Sequence, residues 1–229
     1  MKTIALDTSG RSVGIAILDG EHITYEIILR TGLNHSQVLL PEIDHALKVM
    51  KIGLSEIDLF AATTGPGSFT GLRIGLSTLK GLALSWQKPL VGVSTLEALA
   101  CNVCDETKLI CPILKGPMTE IYVGLYRFSY PAQYTCLMKD RITDIDALVK
   151  EINEPAIFLG EGALQHKATL QEKMPKWAQI MPETYHCCRP SSVAAIGIRK
   201  YLAGDCQDVV TLVPDYLRVS EAELKKHGA

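Results

Sequence analysis

The chain has 229 residues, 47% of them hydrophobic and 21% charged, with a formal net charge of −2. That is enough apolar material for two modest domains with ordinary cores. A balance so near neutral excludes a protein that grips nucleic acid by a broad basic face. Displacing counterions from phosphates needs clustered cations, and the 23 Lys and Arg are scattered. There is no run of about 18 uncharged apolar residues to span a bilayer. Asp7 interrupts the stretch that a secretory signal would keep apolar, so the expected location is the cytoplasm. The seven cysteines are then expected to be reduced thiols.

In chain order, Thr3–Leu6 reads as a strand running into the turn formers Asp7, Thr8, Ser9 and Gly10. Val13–Leu18 is a second strand, and Asp19-Gly20 is a two-residue hairpin signal before a third strand at Ile23–Leu29. A helix follows over 36–51, with Leu39, Ile43, Ala46, Leu47 and Met50 on one stripe. Val38, Leu40 and Val49 lie off that stripe, so the helix needs a second packing partner. Pro41 predicts a bend or an irregular start. Ile57–Thr63 is a fourth strand. It leads into a glycine-rich stretch and a second helix, whose apolar stripe is Leu72, Leu76, Leu79, Ala83 and Trp86. A nearly side-chain-free face (Gly71, Gly75, Thr78, Ser85) lies beside it. Pro89–Val93 is a fifth strand, and Ser94 with Glu97 forms a capping box for a third helix.

Near Asp105 the order restarts. Strands are predicted at 109–114, 120–128 and 134–138, a helix at 142–152, a strand at 156–159, a turn at Gly160–Gly162 before another helix, and a further helix at 192–202. Two copies of a β-β-β-α-β-α unit predict two α/β lobes, 1–105 and 106–229, with a cleft between them. That is the architecture of the actin, Hsp70 and sugar-kinase class.

Several segments could carry chemistry. Asp7, Thr8 and Ser9 form a turn that can hold phosphate or a metal-bound water, but each is also an ordinary turn former. The matching turn of the second half, Lys115-Gly116-Pro117-Met118, offers no carboxylate before Glu120, which makes a poor Mg²⁺ cage. Gly67, Gly71 and Gly75 are spaced by four. Close packing within the chain is the first reading of that spacing, contact with another chain the second, and phosphate at a helix N-terminus the third. Ser68 does not fit a nucleophile elbow. No two histidines are spaced by three to five, and Cys101 and Cys104 make a lone CxxC, so no metal site is expected.

The run Gly65-Pro66-Gly67-Ser68-Phe69-Thr70-Gly71-Leu72-Arg73-Ile74-Gly75 closely resembles the signature of the TsaB family, also called YeaZ. The resemblance extends to Ile4–Ser9, to His35-Ser36 with Leu39-Leu40-Pro41, to Glu120-Ile121-Tyr122, and to Pro214-Asp215-Tyr216-Leu217-Arg218. One departure is the second-lobe turn, where the family commonly carries Asp-Ala-Arg-Met and this chain has Lys115-Gly116-Pro117-Met118. No role of that Asp and Arg carries over.

The resemblance implies a non-catalytic scaffold in the synthesis of threonylcarbamoyladenosine at position 37 of tRNA. The catalytic paralogue TsaD would be its partner and the ATPase TsaE would join them. The chain would reach tRNA only through that complex, and alone it would form a homodimer through the same surface. The expected interface residues are Leu39, Ile43, Gly71, Gly75 and Thr78. Asp7, Thr8 and Ser9 are the candidates for weak ATP or ADP binding in the TsaD-containing complex, the chain having no cofactor of its own. Rival readings are an independent ATPase or phosphotransferase of the same fold, and a peptidase.

Overall fold

The computed structural model describes residues 1–131 and 133–217, so that Arg218, the last residue of the C-terminal match, lies outside the described residues. The chain divides into two compact units. The first is Met1–Ala98 with Arg189–Asp215; the second is Leu99–Cys188, to which Tyr216 and Leu217 also belong.

The first unit is built on β1 (Lys2–Asp7), β2 (Val13–Asp19), β3 (His22–Leu29), β4 (Leu59–Gly65) and β5 (Leu90–Ser94). They form one sheet in the order β3-β2-β1-β4-β5, with an antiparallel meander on one side of β1 and parallel strands on the other. Helices α1 (His35–Met50) and α2 (Phe69–Trp86) cover one face. The core there joins Ile4, Leu6, Ile15, Ile17 and Phe60 of the strands to Leu39, Ile43, Leu76 and Leu79 of the helices. Each such large apolar side chain contributes about 1.5–3 kcal/mol when fully buried. The other face is covered by a helix that returns from the far end of the sequence, α7 (Pro190–Leu202). It packs closely enough that a Cβ on Gly197 would meet Ala61 Cβ at 2.6 Å. Because both faces are covered, the central strands are almost wholly apolar instead of alternating.

The second unit repeats the plan. Its strands β6 (Leu109–Lys115), β7 (Ile121–Ser129), β8 (Gln133–Thr143), β9 (Ala156–Leu159) and β10 (Ala178–Ile180) lie in the order β10-β9-β6-β7-β8. Reading outward from the first strand of each unit, the two sheets have the same topology, as the repeated element order predicts. Helices α4 (Ile145–Glu151), α5 (Glu161–Gln165) and α6 (Lys167–Lys173) follow in sequence, after α3 (Thr95–Ala100).

Some expectations need correction. A boundary at residue 105 puts α7 in the second lobe, but this helix packs on β1, β2, β4 and β5 of the first sheet. Its apolar residues Val193, Ala194 and Ile196 are buried there. Residues 142 and 143, expected to be helical, end β8, and the helix starts only after Asp144, whose carboxylate accepts the Ala147 amide at 2.8 Å. Helix α1 is continuous through Pro41, which is exposed. The short β10 carries no sequence signal of its own; it is added in parallel to β9.

Beyond α7 the chain lies along the first unit as a strap, residues 205–215. Asp208 Oδ1 accepts the Val210 amide at 2.6 Å and turns it. The Asp215 amide donates to Thr64 O at 2.7 Å, and Gln207 Oε1 accepts from the Gly92 amide at 3.3 Å. From α2, Lys80 Nζ donates to Val210 O and Leu212 O at 2.9 and 2.8 Å. Two glycines make room for the strap. Gly92 lies against Gln207 and Leu212, and Gly65, at φ +137°, would place a Cβ 2.5 Å from Asp215 O.

Candidate functional site

The residues singled out by the sequence converge at the end of β1, but in a different relationship from the one expected. Asp7 closes β1 and is buried. Its Oδ1 accepts three hydrogen bonds, from Ser9 N at 3.1 Å, Ser9 Oγ at 2.6 Å and Thr63 Oγ1 at 3.0 Å. Burial pushes the carboxyl above its ordinary value, against the opposing pull of the Ser9 and Thr63 bonds and the nearby His35. The turn after β1 is thus tied to β4 through a single carboxylate oxygen.

The glycine-rich stretch docks on the same turn. Ser68 caps α2, its Oγ accepting the Gly71 amide at 3.2 Å, and the Ser68 amide donates to Ser9 O at 2.7 Å. Cβ atoms built on Gly67, Gly71 and Gly75 would all collide with Thr8 or Ser9: the first with Ser9 O at 2.5 Å, the other two with Thr8 at under 3.0 Å. The four-residue spacing therefore serves close packing inside the chain. Gly65 and Pro66 are joined by a cis peptide. Phe69 carries the Arg73 guanidinium on its ring, 3.8 Å from the centroid, and Thr70 is exposed.

This overturns most of the expected interface. Leu39 and Ile43 are 1% and 3% exposed and belong to the core beneath α1, because their stripe is the one that faces the sheet. Gly71 and Gly75 are buried against Thr8. Thr78 is half-buried, its hydroxyl bonded to Ile74 O at 2.8 Å. The outward faces hold other residues: Leu40 and Val49 on α1, each 54% exposed, and Leu84 and Trp86 on α2, at 52% and 43%. Gly81, also on α2, has nothing within 4 Å of a Cβ built on it. The sequence did hold a signal for this surface, in the apolar Leu40 and Val49 lying off the stripe of α1.

In the second unit, the matching turn is a tight loop. The Gly116 amide donates to Glu120 O at 3.0 Å and the Glu120 amide to Pro117 O at 2.9 Å. Met118 projects from it, 79% exposed and at φ +49°. All seven cysteines are free thiols, and burial pushes that of Cys111 up. Cys104 Sγ lies 3.3 Å from the Tyr134 hydroxyl. Among the described residues no three His, Cys, Asp or Glu are placed to share a metal ion, and no helix is long and apolar enough to cross a membrane.

Comparison with known proteins gives this geometry its context. The family model described as TsaD, tRNA N6-adenosine threonylcarbamoyltransferase, matches residues 30–226. The tRNA threonylcarbamoyladenosine biosynthesis protein TsaB of Bacillus subtilis is 34% identical over 227 residues, 98% of this chain and 97% of that protein. The chain belongs to the TsaB family. TsaB of Haemophilus influenzae is likewise 34% identical, over 97% of this chain and 95% of its own length. The solved structure of YeaZ from Pseudomonas aeruginosa superposes with a TM-score of 0.78 at 22% identity, covering 94% of this chain and 99% of that one. The fold is that of the actin, Hsp70 and sugar-kinase class. The glycine-rich run that carries the resemblance to the family is, in this fold, the seat of α2 on the first hairpin.

Proposed function

We propose that the chain is a non-catalytic subunit in the synthesis of threonylcarbamoyladenosine in tRNA, acting in the cytoplasm by pairing with TsaD. The observation that carries this reading is the outward face of α1 and α2. Leu40 and Val49 are exposed on α1 and Leu84 and Trp86 on α2, where Gly81 is an open position. Exposed aliphatic and aromatic side chains on two neighbouring helices, with a small residue among their outward positions, suit a helix-to-helix interface. The same face would pair two copies of the chain when TsaD is absent, and the assembled pair would recruit TsaE.

The first hairpin supports a structural reading over a nucleotide site. A carboxylate that holds a metal-bound nucleotide must present its oxygens to the ligand. Asp7 is buried, with Oδ1 taken by three internal donors. Ser9 O accepts the Ser68 amide, and Thr8 lies under Gly71 and Gly75. In the second unit the corresponding turn contributes Lys115 and no acid before Glu120. These residues do not fit a Mg²⁺-nucleotide, and we assign the chain no cofactor of its own. That reading also leaves the independent ATPase without its metal carboxylates.

The test is reconstitution of tRNA modification from purified TsaC, TsaD and TsaE, with and without this chain. Modification that depends on the chain, and is lost with Gly81→Arg, is expected. Full modification without it, or ATP turnover by the chain alone that disappears in Asp7→Ala, overturns the reading.

A further inference from the structure

Among the described residues, the two sheets differ in how their edges are protected against pairing with another chain. An edge strand presents unpaired N–H and C=O groups, which proteins blunt with side chains, charges, irregularities or shortness. At β5, Gln207 of the strap accepts the Gly92 amide at 3.3 Å, and Lys200 donates to Gly92 O at 3.3 Å. In the second unit β10 has three residues, and β8 carries two register shifts with Lys139, Asp140 and Arg141 in one run. The remaining edge is β3, which ends the first sheet. It is eight residues long, above the common strand length of about 5–6, and holds no Lys, Arg or Pro.

The two faces of β3 have different partners. Tyr25 and Ile27 pack into the core beneath α1, whereas Glu26 turns to α7, where it meets Arg189 and the Ser191 amide. Ile28 pairs with Gly14, a position whose Cβ would meet Pro190, so it too lies on the α7 side. A shift of register between Ile17 and Leu18 leaves Thr24 as an extra residue and sets Ile23 opposite Leu18. Ile17 faces the core, so Leu18 and Ile23 face the other way, on the same side as Glu26 and Ile28. Ile23 and Ile28 are nonetheless 51% and 38% exposed. Glu21, in the turn before the strand, and Arg30, just past its end, are exposed as well.

We propose that the outer edge of β3 is an interface for a second copy of this chain, the two strands running antiparallel about a twofold axis normal to the sheet. Set with Ile23 opposite Ile28 of the other copy, the pair aligns His22 with Leu29 and Glu21 with Arg30. The extra residue Thr24 makes Tyr25 fall opposite Ile27, and Glu26 opposite its own equivalent. The twofold repeats each pairing, so both ends of the joint carry an ion pair and the α7 side carries two isoleucine pairs. The central Glu26 carboxylates are each compensated by Arg189 of their own chain. In this register β3 complements itself in charge and in apolar surface, which favours a second copy over an unrelated strand. The contact goes beyond the proposed function and uses none of the residues of the α1–α2 face.

Sedimentation velocity of the full chain carrying Gly81→Arg, which removes pairing through the helices, tests it. A monomer–dimer equilibrium with a Kd of about 1–100 μM is expected, the strength of a small transient contact. Glu21→Arg and Arg30→Glu, each added to that chain, set like charges at both ends and should weaken self-association by about tenfold or more. Mixed in equal amounts, the two charge variants regain both ion pairs, so the mixture is expected to dimerise as strongly as their parent. Both side chains are exposed, and unchanged thermal melting confirms that each variant is folded. The proposal is overturned by a parent that stays monomeric up to about 1 mM. A dimer that neither charge variant weakens, or a mixture that associates no better than its components, overturns it equally. Co-purification with TsaD is read separately. Glu21→Arg alone is expected to leave it intact and Gly81→Arg to abolish it, so that failure here and failure of the TsaD-pairing reading are told apart.

Discussion

Thr8 Oγ1 occupies the place that a methyl group on Gly75 would need, lying under 3.0 Å from a Cβ built there. The neighbouring obstacle at Gly71 is different in kind, being the carbonyl oxygen of the same threonine. Side chains can be trimmed and carbonyls cannot. Gly75→Ala and Gly71→Ala are each expected to cost about 1–3 kcal/mol through overpacking. For a protein of this size that lowers Tm by roughly 2–4 °C per kcal/mol. Adding Thr8→Ala should recover much of the loss in Gly75→Ala and little in Gly71→Ala, as thermal melts of the four variants would show. Any arginine placed at Gly75 unseats the helix, and so reports on folding before it reports on a partner.

Gly81 is the position for that question. Nothing lies within 4 Å of its missing side chain, and a helix interior favours almost any residue over glycine by up to about 1 kcal/mol. Gly81→Arg should melt at or slightly above the wild-type temperature and yet fail to co-purify with TsaD. Leu84→Glu should behave in the same way. Retained pairing in both variants would place the contact elsewhere.

Helix α7 is fastened to the edge strand β3 by Glu26, whose carboxylate pairs with Arg189 and accepts the Ser191 amide at 3.0 Å. Burial alone would raise the Glu26 carboxyl, but Arg189 and Ser191 together outweigh it and hold it below the usual carboxylate range. A group with a lowered folded value contributes stability that is present above its ordinary value of 4.5 and is lost as pH falls through the folded one. Glu26→Gln is therefore expected to cost about 1–2 kcal/mol at pH 7, the pair being discounted because Arg189 is half exposed. The gap between variant and wild type should close as urea melts are repeated from pH 5 downward.

Lys80 reaches across to two carbonyls of the strap more than a hundred residues away in sequence. Lys80→Met keeps the stem and removes the donors, with an expected cost of about 1–2 kcal/mol for two charged hydrogen bonds at a partly exposed site. Limited proteolysis should then cut within 205–213 faster than in the wild type, while cleavage in 99–188 is unchanged.

How far the sequence could be read depended on the range of the interaction. Helices α1 and α2 were legible to within a residue, because their stripes are local repeats and their ends carry local caps. The sheet repeat was legible because turn formers separate the strands. The packing side of α7 was not, since residues 190–202 are apolar toward a sheet formed by residues 2–94, and no periodicity names the sheet a helix will choose. The interface residues failed for a related reason. Leu39 and Ile43 follow the strongest apolar stripe, and the strongest stripe is the one a protein buries in itself. The weaker signal, Leu40 and Val49 off the buried stripe on its two flanks, marked exposed apolar surface. The strap and its lysine left no trace in local pattern, since the contact joins positions 80 and 212 through backbone oxygens that every residue possesses.

The first sheet needs two distant stretches of the chain: strands β1 to β5 come from residues 2–94, while the helix that covers its other face comes after residue 189. On the ribosome, residues 99–188 emerge as an uninterrupted stretch and can fold as soon as they clear the tunnel. The half synthesised first must wait until residues 190–202 have been made, with one face of its sheet bare in the meantime. A stop codon shortly before residue 190 would thus cripple the N-terminal half and spare the C-terminal one.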